Sequence, residues 1–316
     1  MSNGSQGPVL YLTLRYLSLP AGQLRGWRRS LSYNWATMRF SSMMLALTAM
    51  LALVLRAQEQ LERPLPAPIV LENRGKPIEL PFHCSADDMR WAGMSCSEEE
   101  PCPIFLELSA AGHAGGRTLV SGNIHGEAAT LYSVLLGTDD AGQTWREVNE
   151  RIRGAAIDRM QFLDSATGWI SGEELFPIPQ NPFLLLTEDG GKTWTQRAVL
   201  HESTENRFGA VMQFDFSTKS NGSLILDRGQ GSGVERYALF QSENGGQSWT
   251  VRQESGKPLK LPQTLSASDW RVRADAASRS YHVERRLGER WSLIAAFAVR
   301  LEPCKPPALE PGAEKQ

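Results

Sequence analysis

From about position 103 to position 253, apolar residues fall into short runs that alternate with polar positions at period two. Three of the runs end in the same polar knot. "LLGTDDAGQTWREV" places Thr138, Asp140, Gly142, Thr144 and Trp145 at the offsets that "LLLTEDGGKTWTQ" gives to Thr187, Asp189, Gly191, Thr193 and Trp194. "LFQSENGGQSWTV" repeats the set as Ser242, Asn244, Gly246, Ser248 and Trp249, with Asn in the Asp position. Period-two runs on both sides of a tight polar stretch predict a β-hairpin at each copy. The strands upstream repeat as well: "IDRMQFLDSATGWISG" aligns with "GAVMQFDFSTKSNGSLIL", and "FLELSAAGHAGGRTLVSG" has the same two-strand outline. The chain is therefore built from units of four strands, at about 103–149, 155–199 and 208–253.

Turn chemistry accounts for every residue of the knot. The Asp or Asn and the Ser or Thr accept hydrogen bonds from backbone N–H groups in the bend. The glycine suits a position with positive φ. The tryptophan covers the base of the hairpin and buries a large apolar area. The pattern Ser/Thr-x-Asp-x-Gly-x-Thr/Ser-Trp resembles the Asp-box, or bacterial neuraminidase repeat, which joins the third and fourth strands of a β-propeller blade. The resemblance implies a structural role for Thr138, Asp140, Gly142 and Trp145, for Thr187, Asp189, Gly191 and Trp194, and for Ser242, Asn244, Gly246 and Trp249.

A degenerate fourth unit runs through "DWRVRAD", "SYHVERR" and "GERWSLI", where Gly288 and Trp291 keep the final Gly-x-x-Trp spacing. "LIAAFAVRL" (293–301) is expected to begin a last blade completed by N-terminal residues around 77–91. The fold class is all-β: a β-propeller of four-stranded blades in a small or irregular ring of four to five, a closure that protects edge strands. "FLDSATGWISG" followed by "LLLTEDGGKTW" resembles the photosystem II assembly-factor type of propeller, mainly over residues 155–197. That resemblance implies an exported, non-enzymatic propeller that binds proteins.

Charge and apolar content change the picture at the N-terminus. The formal net charge is −2, but residues 1–57 hold six arginines and no acid, leaving 27 basic against 35 acidic groups beyond them. A chain of that sign lacks the basic footprint of a DNA- or RNA-binding protein. Arg39, the apolar stretch 43–55 and the small Ala57 follow the three-part plan of a secretory signal. This thirteen-residue stretch falls short of the roughly twenty of a membrane span, so a retained short anchor is the alternative. The segments read as a non-native extension (1–37), signal or anchor (38–57), Pro-rich linker (58–68), propeller (69–303) and tail (304–316). Expected localisation is periplasmic or extracellular.

Four cysteines in an exported chain predict two disulfides, with three connectivities open. Cys96–Cys102 would close a short polar loop, and Cys84–Cys304 would sit at the seam between the chain ends. A zinc site from His83, Cys84, Cys96 and Cys102 lacks the usual C-x-x-C spacing, and no metal or cofactor is expected.

Glycoside hydrolysis needs two carboxylates across a sugar, and spacing nominates no such pair. The leading function is a protein-binding or assembly module of the cell envelope. The alternative is a glycan-binding protein or sialidase-like glycoside hydrolase. Consecutive connections in an up-and-down blade alternate between two faces. The Asp-box turns share theirs with the short links 164–167 and 217–221. The other face carries 173–181, 200–207, 227–235 and 254–263, and long loops on a rigid scaffold are where binding residues concentrate. Leu175, Phe176 and Ile178 on that face form the expected apolar contact for a protein partner.

Overall fold

The structure is a computed structural model that describes residues 69–175, 178–200, 208–229, 235–262 and 268–306. The expected leader and linker, Phe176 and most of the long loop 200–207 lie outside the described residues. Four antiparallel sheets carry the fold. Blade I contains β1 (Leu71–Glu72), β2 (Phe105–Ala114), β3 (Arg117–His125), β4 (Thr130–Thr138) and β5 (Thr144–Glu147), in the order β1-β5-β4-β3-β2. Blade II is β6 (Ala155–Phe162), β7 (Gly168–Leu175), β8 (Pro179–Thr187) and β9 (Thr195–Ala198), and blade III is β10 (Ala210–Phe216), β11 (Gly222–Asp227), β12 (Tyr237–Ser242) and β13 (Thr250–Ser255). Blade IV has three strands, β14 (Trp270–Asp275), β15 (Ser280–Leu287) and β16 (Arg290–Ala298). The one described helix, α1 (Ala86–Trp91), starts at a capping box in which Ser85 and Asp88 satisfy each other's backbone N–H groups.

Each blade is a meander, so its sequence alternates between the two faces it presents to its neighbours. Three apolar cores fill the spaces between blades. Ala295, Phe297, Val283, Leu106 and Trp145 join blades IV and I. Leu135, Ile157, Ile170 and Leu185 join I and II. Trp169, Leu184, Phe216, Leu224 and Phe240 join II and III. No described core joins III to IV, so the propeller is irregular: an arc of four blades packed at three junctions. The unshared face of blade IV is polar instead, with Glu284 held by Arg271 at 2.7 Å and Arg273 at 3.2 Å. Arg271 also lies 4.0 Å over the Trp291 ring.

The two ends of the domain meet at blades IV and I. Ile78 pairs in parallel with Phe297 of β16, and β1 adds a fifth strand to blade I. The C-terminal strap runs antiparallel to the start of blade I: Leu106 N–H donates to the Val299 carbonyl at 2.7 Å and Cys304 N–H to the Cys102 carbonyl at 3.0 Å. Cys84 is bonded to Cys304, and Cys96 to Cys102.

Two expectations about blade IV are corrected. Residues 293–298 do not open a further blade but continue β16, because a bulge between the Val283 and Glu284 pairings absorbs one residue without ending the ladder. Gly288 and Trp291 sit at the hairpin between the second and third strands, Leu287 pairing with Arg290. Their Gly-x-x-Trp spacing is therefore not a copy of the turn between strands three and four.

Candidate functional site

The three knots occupy the turns β4–β5, β8–β9 and β12–β13, and their hydrogen bonds use up the side chains. The Thr138, Thr187 and Ser242 hydroxyls accept the N–H groups of Gly142, Gly191 and Gly246 at 3.0, 2.8 and 2.8 Å. These glycines have φ of 92°, 81° and 85°, the region that excludes most side chains. Asp140 accepts the Thr144 N–H at 2.9 Å and its hydroxyl at 2.6 Å, and Asp189 accepts the same pair from Thr193 at 3.0 and 2.7 Å. Asn244 keeps the first acceptance, from Ser248 N–H at 2.9 Å, and its amide donates to the Ser248 hydroxyl. Trp145 packs edge-on to Phe297 of blade IV, while Trp194 meets Phe162 and Trp249 meets Phe216 on the first strand of their own blades, beside the I–II and II–III cores.

The bonds from Thr144 hold the Asp140 carboxyl down at about 2. For Asp189, burial pushes upward, but the Thr193 and Thr187 bonds win and bring it to about 2. Lowered values mean stability that is full above the ordinary value of 3.8 and lost as pH falls toward 2. Asp189→Ala is expected to cost about 0.5–1.5 kcal/mol, the net worth of hydrogen bonds whose exposed donors can turn to water. Its melting curve should also lose acid sensitivity between about pH 4 and pH 2, the window of the lowered carboxyl. A melting point unchanged at pH 7 would refute this.

The same turns dock on the links of the short-loop face, Gly190 N–H donating to Ala166 and Gly245 N–H to Ser220, both at 2.8 Å. On the opposite face the segment 173–181 is mostly strand rather than loop. Leu175 pairs with Pro179 and Glu174 with Gln180, which leaves only three residues to turn. Leu175 N–H is bonded to the Gly154 carbonyl at 2.7 Å and its side chain is half-buried. Ile178 is 50% exposed. Beside it, Gln180 bridges to Phe208, and Gly209 N–H donates to the Pro179 carbonyl at 3.0 Å, so blade II's edge runs into the start of blade III. Phe208 is 38% exposed and Met212 41%. Sequence reasoning missed both: one adjoins a loop read as polar, the other is a single apolar residue within a strand.

A bulge recurs on the inner strands of blades I, II and III. In β2, β6 and β10 the pairing skips Ser109, Asp158 and Met212 at equivalent places. A bulge re-aims the extra residue and kinks its strand. Ser109 turns its hydroxyl to the Ile157 carbonyl at 2.7 Å. Burial raises the Asp158 carboxyl and Glu107 adds to the rise, while Asn123 and Arg159 oppose it. On β7, Glu173 is 6% exposed. Burial, then the charge of Asp158, pushes the Glu173 carboxyl up to about 7.

A second polar cluster ties α1 to blade I. Tyr132 donates to Asp88 at 2.5 Å, and Arg153 donates to Asp88 at 2.8 Å and to Asp87 at 2.6 Å. Burial and the acceptor Asp88 hold the Tyr132 proton on, raising its value, which is the opposite of an activated nucleophile. No group of three or more His, Cys, Asp or Glu suited to a metal ion occurs among the described residues. No described helix is long and apolar enough to cross a membrane.

No protein-family profile matches the chain, and no curated protein matches it. Among solved structures it is similar to YCF48 bound to a D1 peptide, with 16% identity and a TM-score of 0.34 over 63% of this chain and 56% of that one. YCF48 from Cyanidioschyzon merolae gives 17% identity and 0.31, over 61% and 56%. An alpha-L-arabinanase of Penicillium chrysogenum, complexed with arabinobiose, gives 15% and 0.34, over 72% and 66%. The chain spans just over half the length of the two YCF48 structures. At these values the architecture rests on the chain's own sheets and cores, and the site on its own geometry.

Proposed function

We propose that the chain is a non-enzymatic, exported binding module of the cell envelope that engages a protein partner through the long-loop face of blades II and III. The observation that carries this reading is the pair Ile178 and Phe208, exposed apolar side chains beside the Gln180–Phe208 bridge and the Gly209–Pro179 bond, where blade II meets the start of blade III. Leu175 lies at the turn beside them, and rigid strands hold the patch so that little order is lost on docking. Two disulfides suit the oxidising compartment that export implies. The hydrolase alternative needs an accessible carboxylate pair. Glu173, whose carboxyl is raised, is buried.

The test is substitution of the patch. Ile178→Glu and Phe208→Glu, together, should weaken binding of the captured envelope partner at least about tenfold, the effect of losing an apolar hot spot of roughly 1.4 kcal/mol or more. Thermal melting should stay within about 2 °C of the parent, as for surface changes. Undiminished capture by the double variant, with capture lost on changing Lys219 and Glu188 of the opposite face, would move the site to the short-loop side.

A further inference from the structure

The four cysteines converge on the seam between the chain ends. Cys84 precedes α1 and Cys96 follows it, Cys102 stands just before β2, and the C-terminal strap returns Cys304 beside Cys102. Cys102 and Cys304 face each other in an antiparallel bridge. Cys102 N–H donates to the Cys304 carbonyl at 3.1 Å, and Cys304 N–H donates to the Cys102 carbonyl at 3.0 Å. A pair that exchanges both bonds holds its Cα atoms about 5.5 Å apart, with both side chains on one side. The two existing disulfides span Cα separations of 5.1 and 5.3 Å, and disulfides in general span about 4.4–6.8 Å. The backbone therefore holds Cys102 and Cys304, which are not bonded to each other, at a separation that a disulfide fits.

Access separates the two existing disulfides. Cys304 is fully buried, so a thiol from solvent meets the long one only at Cys84. Cys96 and Cys102 are both half-buried and close a surface loop in which Glu98, Glu99 and Glu100 are exposed. Either sulfur of the short disulfide is open to attack. Loop closure does not choose between the existing long bond and a Cys102–Cys304 bond. The second would close a loop almost as long as the 220 residues of the first, and the cost grows only with the logarithm of length.

We propose that Cys96–Cys102 is a thiol-exchange site and that Cys102 passes the exchange on to Cys304. A dithiol in solution attacks the Cys96 sulfur, the Cys96–Cys102 bond breaks, and Cys102 leaves as a thiolate, the nucleophilic form. The second sulfur of the dithiol then displaces Cys96, which takes a proton from water, and the dithiol ends as a cyclic disulfide. The Cys102 thiolate attacks the Cys304 sulfur. The Cys102–Cys304 bond forms, the Cys84–Cys304 bond breaks, and Cys84 leaves with the electron pair and is protonated by water. Two electrons have passed from the dithiol to one protein disulfide. The strap stays covalently tied to blade I, while both cysteines that flank α1 become free. α1 is then held by its packing and by the bonds of Asp87 and Asp88 to Arg153, at 2.6 and 2.8 Å. None of these steps involves Ile178 or Phe208, so the exchange is independent of partner binding at that patch.

The experiment treats the folded protein with one equivalent of dithiothreitol, then quenches with acid, alkylates and maps the peptides without reduction. A Cys102–Cys304 link, with label on Cys84 and Cys96, should appear in about half of the once-reduced chains, since loop closure favours neither long bond. Cys96→Ala leaves Cys102 free from the start and should show the same link with Cys84 labelled. In Cys102→Ala the Cys96 thiol remains but the facing pair is gone, so Cys84–Cys304 should persist. Once-reduced chains without a Cys102–Cys304 link overturn the relay, whichever pair is labelled instead. So does Cys96→Ala with Cys84–Cys304 intact and Cys102 labelled. A Cys96–Cys304 link in Cys102→Ala also overturns it, because any thiol at the seam would then serve. The map of the once-reduced parent decides the matter if a variant does not fold.

Discussion

Replacing Cys84 and Cys304 together by alanine is expected to destabilise the domain by about 5 kcal/mol, against about 2 kcal/mol for Cys96 and Cys102. Both figures follow from the loop-closure entropy that each bridge removes from the unfolded chain. The bridges span 220 and 6 residues. Because closure entropy grows only with the logarithm of loop length, the difference is a factor of two to three rather than forty. The long bridge also acts on the folded side. Cys304 is fully buried in the core that joins blades IV and I, and the strap beside it is bonded to residues 102–106. Among the described residues no apolar core ties blade IV to blade III, so the junction with blade I is the one described core that holds it. The expected result is therefore a lower urea midpoint and early exchange of β14–β16 while blades II and III keep their protection. Equal losses from the two double variants would refute the entropic ranking, and a midpoint unmoved by loss of the long bridge would show that strap and core hold the seam alone.

What the sequence reveals follows from how local each determinant is. The three knots are legible because the residues that satisfy one another, such as Thr138, Asp140 and Thr144, lie within a single turn. The chain alone therefore states the whole hydrogen-bond problem and its solution. The four-strand units are legible for the same reason, since hairpins pair neighbours. Glu173 is not legible. "GEELFPIPQ" has two acids and two prolines, and reads as a long loop that presents an apolar contact. Its burial is decided by β10, 38 residues later, packing over β7. The bulges at Ser109, Asp158 and Met212 escape notice because skipping one residue leaves the average period almost unchanged. Blade IV misleads in the other direction. Gly288 and Trp291 repeat a spacing, but the hydroxyl and carboxylate that close the turn elsewhere are missing, and the pair serves a different hairpin. Nor does any stretch of sequence state that no core joins blade III to blade IV among the described residues. That emerges only when every alternating face has been assigned a neighbour.

Trp169 is where that junction between blades II and III is expected to be most sensitive. Its indole is fully buried and stacked on Phe216, with centroids 3.9 Å apart and planes 2° from parallel. Leu184, Leu224 and Phe240 belong to the same core. Trp169→Ala should cost about 3–5 kcal/mol, the usual range for removing a buried large aromatic whose space cannot collapse. The space here is walled by strands of two blades and by the Phe216 ring, so relaxation requires the blades themselves to shift. Trp169→Phe should behave differently. The indole N–H has no acceptor among the described residues, so a phenyl ring keeps the stacking partner while removing a buried donor that returns nothing. Its cost should be less than half that of the alanine variant. Urea unfolding of the two variants measures the contrast, and hydrogen exchange locates it: β10–β13 should lose protection in Trp169→Ala well before blade I does. Equal destabilisation by Phe and Ala would mean that the indole N–H is engaged after all. Uniform loss of protection over all four blades would mean that the arc unfolds as a single cooperative body, with the II–III junction no weaker than the rest.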